Sequence, residues 1–147
     1  MATVRPLLNQ LNLVVADMDA TVGFYRRLGL TIEAEPGAEH VNVLLENGFR
    51  LEFDTTQFAP MWDSGWRSPG DSSRGGVVLG FQVPTREAVD ALYAEIGGGH
   101  QPPYDGFWGA RYAIVEDPDG NHVGLMSPID PARKRWPPEP PPSGPPR

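Results

Sequence analysis

The chain has 147 residues, 39% of them hydrophobic, a formal charge of −7 and no cysteine. That length buries one core without covalent staples, and the absence of cysteine excludes a disulfide framework, thiolate metal sites and cysteine nucleophiles. The negative charge disfavours nucleic acid and anionic membranes, whose phosphates repel it.

Nothing in the chain reads as a membrane span, for which about 18 consecutive apolar residues are needed. Met1-Ala-Thr-Val-Arg-Pro6 lacks the apolar centre of a signal peptide. A cytoplasmic protein is therefore expected, and the charge suits a neutral or cationic small ligand.

In chain order, Leu11-Asn-Leu-Val-Val15 is a short, β-branched apolar run that predicts a strand. Asp17 or Asp19 offers an N-cap to a helix carrying Val22, Tyr25 and Leu28 on one face, with Gly29 placed to end it. A short strand is expected near residues 30–34. Val41–Leu45 and Arg50–Phe53 flank Asn47-Gly48, which predicts a two-residue hairpin turn with positive φ angles. Residues 58–76 are rich in Gly, Ser, Pro and Trp and read as a long loop, a common place for a functional lid.

A second strand–helix unit follows. Val77–Val83 reads as a strand, and Pro84-Thr85 opens a helix with Ala88, Val89, Leu92 and Ile96 on one face, closed by Gly97-Gly-Gly99. Ala110–Val115 and His122–Met126 flank the turn sequence Asp117-Pro-Asp-Gly-Asn121. Residues 131–147 are dominated by proline and predict no helix or central strand. They should be disordered or extended as polyproline II, with Trp136 the expected anchor onto the body.

The two units are copies. Residues 15–29 match residues 83–97 without a gap at an offset of 68, with Val15/Val83, Ala20/Ala88, Tyr25/Tyr93 and Gly29/Gly97 identical. A repeat in so short a chain implies one pseudo-symmetric domain over residues 1–130. It comprises two βαβββ modules, 7–57 and 76–128, a joining loop 58–75, and the tail 131–147. The fold class is α+β.

The motifs Val15-Ala-Asp-Met18, Phe24-Tyr-Arg-Arg-Leu-Gly29, Leu51-Glu-Phe53 and Asp117-Pro-Asp-Gly-Asn-His-Val-Gly-Leu-Met-Ser-Pro128 together resemble the vicinal oxygen chelate superfamily. That superfamily includes glyoxalase I, extradiol dioxygenases and bleomycin-resistance proteins. The resemblance implies a curved, open mixed sheet of two modules around a cavity, in a homodimer. It says little about activity, because one fold hosts many functions.

Metal enzymes of the superfamily take ligands from the first and last strand of each module. The matching positions here are Gln10, Glu52, Val78 and Gly124, and valine and glycine have no side-chain donor. A tight, oriented site usually needs three or four protein groups, so no metal cofactor is expected. His122 shares a strand face with Gly124 and is the substitute donor if the register slips. His40 and His100 read as loop residues without ligand spacing. Glu52 is expected to pair with Arg50 or Arg111, or to meet a ligand amine. A buried, unpaired Glu52 would be a candidate general base, but no oxyanion stabiliser accompanies it. Nor is there a nucleophile elbow, phosphate loop or dinucleotide fingerprint. No catalytic residues are assigned.

Aromatic residues gather in two loop segments, Phe58, Trp62 and Trp66, then Tyr104, Phe107 and Trp108, with Asp54, Asp63, Asp71 and Asp105 among them. Such rings suit planar ligands, and the carboxylates suit a cationic one. The pattern is similar to the antibiotic-sequestering branch of the superfamily. It implies metal-independent binding of a planar small molecule, such as an aromatic antibiotic, by Glu52, Trp62, Trp66, Tyr104, Asp105, Phe107, Trp108 and Arg111. Two alternatives stay open. One is a lyase, isomerase or dioxygenase using Zn, Ni, Mn or Fe through Gln10, Glu52 and His122. The other is a non-catalytic interaction protein engaging a partner through its aromatic surface and proline-rich tail.

Overall fold

The structure is a computed structural model that describes residues 5, 7–68, 77–97 and 99–142. It divides into two compact units, Met1–Ser68 and Pro69–Arg147. Among the described residues no helix is long and apolar enough to cross a membrane.

The first unit runs β1 (Gln10–Val15), α1 (Met18–Arg27), β2 (His40–Leu44) and β3 (Arg50–Thr55). Its sheet has the order β1-β3-β2, with β1 parallel and β2 antiparallel to β3. Asp17 caps α1 by accepting from the Ala20 amide at 3.0 Å, and Gly29 follows the helix with φ of 96°, a conformation that costs glycine little. Alternation along the strands sends Leu13, Val15, Val41, Val43, Leu51 and Phe53 to the buried face. Tyr25 of α1, fully buried, stacks on Phe53 with ring centroids 5.3 Å apart. The opposite face carries Gln10, Asn12, Glu52, Asp54, His40 and Asn42, which the register brings side by side.

The second unit runs β4 (Val78–Gln82), α2 (Arg86–Ile96), β5 (Gly99–Asp105), β6 (Arg111–Glu116) and β7 (His122–Met126). The strand order is β4-β7-β6-β5, with β4 parallel to β7 and the other pairs antiparallel. Thr85 caps α2 through the Ala88 amide. Val89 of α2 is fully buried, as are Ala113, Val115, Val123 and Leu125 on the buried face of the sheet.

The α+β class and the open, mixed character of the sheets hold, with differences in detail. The strand expected near residues 30–34 does not form: the Ile32 carbonyl, which a neighbouring strand would need, accepts instead from Arg26 Nε and Nη2 at 3.1 and 2.5 Å. The described part of the first unit is therefore βαββ. The Asn47-Gly48 turn is a three-residue loop, not two. Leu45 N–H donates to the Phe49 carbonyl, Gly48 N–H donates to the Leu45 carbonyl, and only Gly48 has positive φ. This is the type I turn plus glycine bulge of three-residue hairpins.

The same pair of bonds closes Pro118-Asp119-Gly120 and Phe107-Trp108-Gly109, so one hairpin design recurs three times among the described residues. His40 and His100, expected in loops, stand on β2 and β5. The tail is held by a different residue from the one expected. Trp136 is 83% exposed, whereas Arg135 donates from its amide to the Phe107 carbonyl and from Nη2 to the Asp105 carbonyl, each at 2.8 Å.

Candidate functional site

In each unit the helix packs on one face of the sheet, and the chemistry-bearing side chains lie on the other. In the first unit the centre of that open face is Asp54, 1% exposed despite its carboxylate. Asn12 Nδ2 donates to Asp54 Oδ2 at 2.8 Å, and His40 Nδ1 lies 2.5 Å from Asp54 Oδ1. The His40 Nε2 atom then lies 3.6 Å from Glu52 Oε1. A buried carboxylate holding one imidazole nitrogen fixes the ring and directs the other nitrogen outward. The Asn12 Oδ1 atom is buried without a hydrogen-bond partner. Phe58 lies against the His40 ring, centroids 5.8 Å apart. The ion pair expected between Glu52 and Arg50 or Arg111 is replaced by this contact with His40.

This network was legible in part. The hairpin puts Asp54 opposite His40, and alternation puts Asp54 on the face of Glu52. The reading of His40 as a loop residue hid it.

The open face of the second unit is aromatic. Tyr104, Trp108 and Tyr112 meet edge to face, with centroids 6.1 Å (Tyr104–Trp108), 5.3 Å (Trp108–Tyr112) and 6.2 Å (Tyr104–Tyr112) apart. Phe107 adds a fourth ring, 5.2 Å from Trp108. Trp108 Nε1 donates to Met126 Sδ at 3.3 Å, which sets the indole over the end of β7. All four rings are partly exposed. Burial raises the pKa of both phenols, and repulsion from Tyr112 adds to the rise at Tyr104. Beside Tyr104 a pocket of about 420 Å³ is lined by Asp105, Arg111, Arg135 and Glu139 among others.

Asp105 and Arg111 are not free to serve a ligand as charges alone. Arg111 forks onto Asp90 at 2.9 and 3.1 Å and reaches Asp105 at 3.3 Å, and Arg86 also pairs with Asp105. Desolvation opposes the charge on Asp105, but Arg86 and Arg111 outweigh it and hold the carboxyl below its usual range. Of the other expected ligand contacts, Trp62 and Trp66 belong to the first unit; Trp62 is 49% exposed and Trp66 half-buried. Asp71 lies outside the described residues.

The four positions that the superfamily uses for metal do not fit an ion here. Gln10 and Glu52 lie in the first unit, on β1 and β3. In the second, Val78 offers no donor, and Gly124 is covered: a Cβ there would stand 2.7 Å from the Tyr112 hydroxyl. The phenol takes up the space in which a ligand side chain from β7 would begin. His122 lies on β7, with its ring against His100.

The profile of the Glyoxalase/Bleomycin resistance protein/Dioxygenase superfamily matches residues 7–125. Among solved structures, a glyoxalase/bleomycin resistance protein/dioxygenase from Nocardioides is 22% identical over 88% of this chain and 87% of its own, with a TM-score of 0.67. A glyoxalase-related enzyme from Fulvimarina pelagi is 23% identical over 83% and 88%, TM-score 0.69. A lactoylglutathione lyase from Agrobacterium tumefaciens is 20% identical over 84% and 94%, TM-score 0.60. No curated protein gives a significant match. These identities support the fold alone, whereas the profile spans most of the chain: the protein belongs to the glyoxalase/bleomycin resistance protein/dioxygenase superfamily.

Proposed function

We propose that the protein binds a planar, aromatic small molecule on the open face of its second unit, without a metal at the superfamily's ligand positions. The reading rests on the Tyr104–Trp108–Tyr112 cluster, three partly exposed rings meeting edge to face, of which only Tyr104 also borders the neighbouring pocket of about 420 Å³. That pocket is lined largely by charged groups and prolines, so the ring faces of the cluster, rather than the pocket, are what a planar ligand would stack on. Because Asp105 is already compensated by Arg86 and Arg111, stacking rather than charge would supply most of the affinity. An aromatic antibiotic, sequestered by a homodimer, is the ligand class that the bleomycin-resistance members of the superfamily suggest.

The test is quenching of intrinsic tryptophan fluorescence by a panel of planar antibiotics that includes bleomycin. Trp108→Ala should weaken binding by about 1–3 kcal/mol. Unchanged affinity in both Trp108→Ala and Tyr104→Ala would sink the idea.

One observation favours a second reading, proton-transfer catalysis. His40, held at Nδ1 by buried Asp54, turns Nε2 outward beside Glu52, an orientation from which it could take a substrate proton brought within hydrogen-bond reach. The lactoylglutathione lyase similarity makes a glyoxalase-type assay the first screen. Turnover that His40→Ala abolishes would favour this reading over sequestration.

A further inference from the structure

The end of the second sheet remote from the aromatic cluster has its own chemistry. His122 opens β7, Glu116 closes β6 directly opposite it, and His100 lies near the start of β5. The His100 and His122 rings stack with centroids 4.1 Å apart and planes at 27°, and His100 Nδ1 lies 3.4 Å from Glu116 Oε1. One donor atom from each of the three residues lies within 4.8 Å of the other two.

We propose that His100, Glu116 and His122 bind a divalent first-row transition ion of the zinc class, and that the ion clips β5 onto β6 and β7. Two imidazoles and a carboxylate are a donor set that such ions accept, leaving a fourth position for water. Around a tetrahedral ion with bonds of about 2.0–2.1 Å, donors stand roughly 3.3 Å apart. The present spacing therefore has to close modestly. Side-chain rotation suffices, because His100 and Glu116 are 31% and 44% exposed.

The backbone supplies a reason for the clip. β5 is an edge strand whose pairing with β6 slips between Gly99 and Gln101 and again between Gln101 and Tyr104. Its Pro102 and Pro103 carry no N–H. These interruptions remove ladder bonds from the strand, and an ion shared by three strands would add a tie in their place. The site is separate from the superfamily's metal positions, which fall on Gly124 in this strand. It is also remote from the aromatic cluster, because Tyr112 and Glu116 stand four residues apart on β6, roughly 13 Å at strand spacing. The inference is independent of the small-molecule reading.

The experiment titrates the full chain, stripped of metal by chelator and dialysed, with Zn²⁺ by calorimetry and with Co²⁺ by visible absorption. The unmodified chain and Glu52→Gln should each take one ion with the same affinity. His100→Gln and His122→Gln should bind on the order of tenfold more weakly or worse. Zn²⁺ should raise the Tm of the unmodified chain but not that of His122→Gln. If circular dichroism shows a histidine variant unfolded, Glu116→Gln, at an exposed position, carries the same expectation. No saturable binding to the folded chain, affinity unchanged in the variants of this cluster, or loss in Glu52→Gln would each overturn the proposal.

Discussion

The Tyr112 phenol stands over Gly124, so that a Cβ at position 124 would lie 2.7 Å from its oxygen and 3.1 and 3.2 Å from two ring carbons. The hairpins of the two units correspond at an offset of 72, Gly48 to Gly120. By that offset Gly124 corresponds to Glu52, Tyr112 to His40, and Met126 to Asp54. One location in the repeat thus holds an imidazole and two carboxylates in the first unit. In the second it holds a phenol, a thioether and no side chain. The polar triad and the aromatic platform are two fillings of the same backbone frame.

Gly124→Ala should therefore destabilise the protein by about 1–3 kcal/mol, the usual cost of overpacking, although alanine otherwise suits a strand better than glycine. With Tyr112→Ala in the background the same change should be neutral or stabilising. A double-mutant cycle by urea unfolding measures the coupling. Additive effects would show that Tyr112 does not fill this space.

In the first unit, removing the buried member of the triad should cost more than removing the exposed one. Asp54→Ala takes away the acceptor of both Asn12 and His40 and leaves part-buried Asn12, whose Oδ1 atom is already without a partner, with neither of its groups paired there. A loss of about 1–3 kcal/mol is expected for stranding a buried polar group. His40 is 42% exposed on its side chain, so His40→Ala should cost less. Chemical denaturation of the two variants side by side decides the order.

The phenols give a pH signature. Tyr104 and Tyr112 both have raised pKa values, from burial first and, for Tyr104, from its neighbour second. A folded-state pKa above the unfolded value of about 10 gives stability that is fully present below pH 10. It is lost as pH rises through the folded value. Phenolate absorbance should show a late-titrating component, and Tyr112→Phe should remove part of it and bring the Tyr104 transition to lower pH. A titration with no late component would contradict the burial of these rings.

Much of this was legible without coordinates, and the failures have local causes. The helices, with caps at Asp17 and Thr85 and glycine at positions 29 and 97, followed from side-chain chemistry within one turn. The hairpin at Gly48 and the turn after Asp117 followed from residues that favour one backbone geometry. Each glycine-bulge hairpin then sets a register, so the pairs His40–Asp54 and Glu116–His122 were available by counting.

What counting could not reach lies on β5. Each of its two slips flips the strand's face, so the position of His100 beside Glu116 depends on bulges that no sequence pattern announced. The missing strand near residue 32 was decided by a competitor, the Arg26 guanidinium. Simple propensity omits such contacts.

The third hairpin offers the sharpest test of how the aromatic platform is held. Gly48 and Gly109 occupy the same place in equivalent loops, with φ of 87° and 99°. A Cβ on Gly48 would meet nothing within 4 Å, whereas one on Gly109 would run into the carbonyl oxygen of Asp130. Gly48→Ala should cost only the left-handed backbone strain, about 1–2 kcal/mol. Gly109→Ala should cost that and a further 1–3 kcal/mol or so of overpacking. It should also break the bond from the Asp130 amide to the Gly109 carbonyl and shift Trp108. Urea unfolding compares the stabilities, and Trp108 emission reports the loop. Equal costs with unchanged emission would mean that the segment after β7 does not brace the hairpin that carries Phe107 and Trp108.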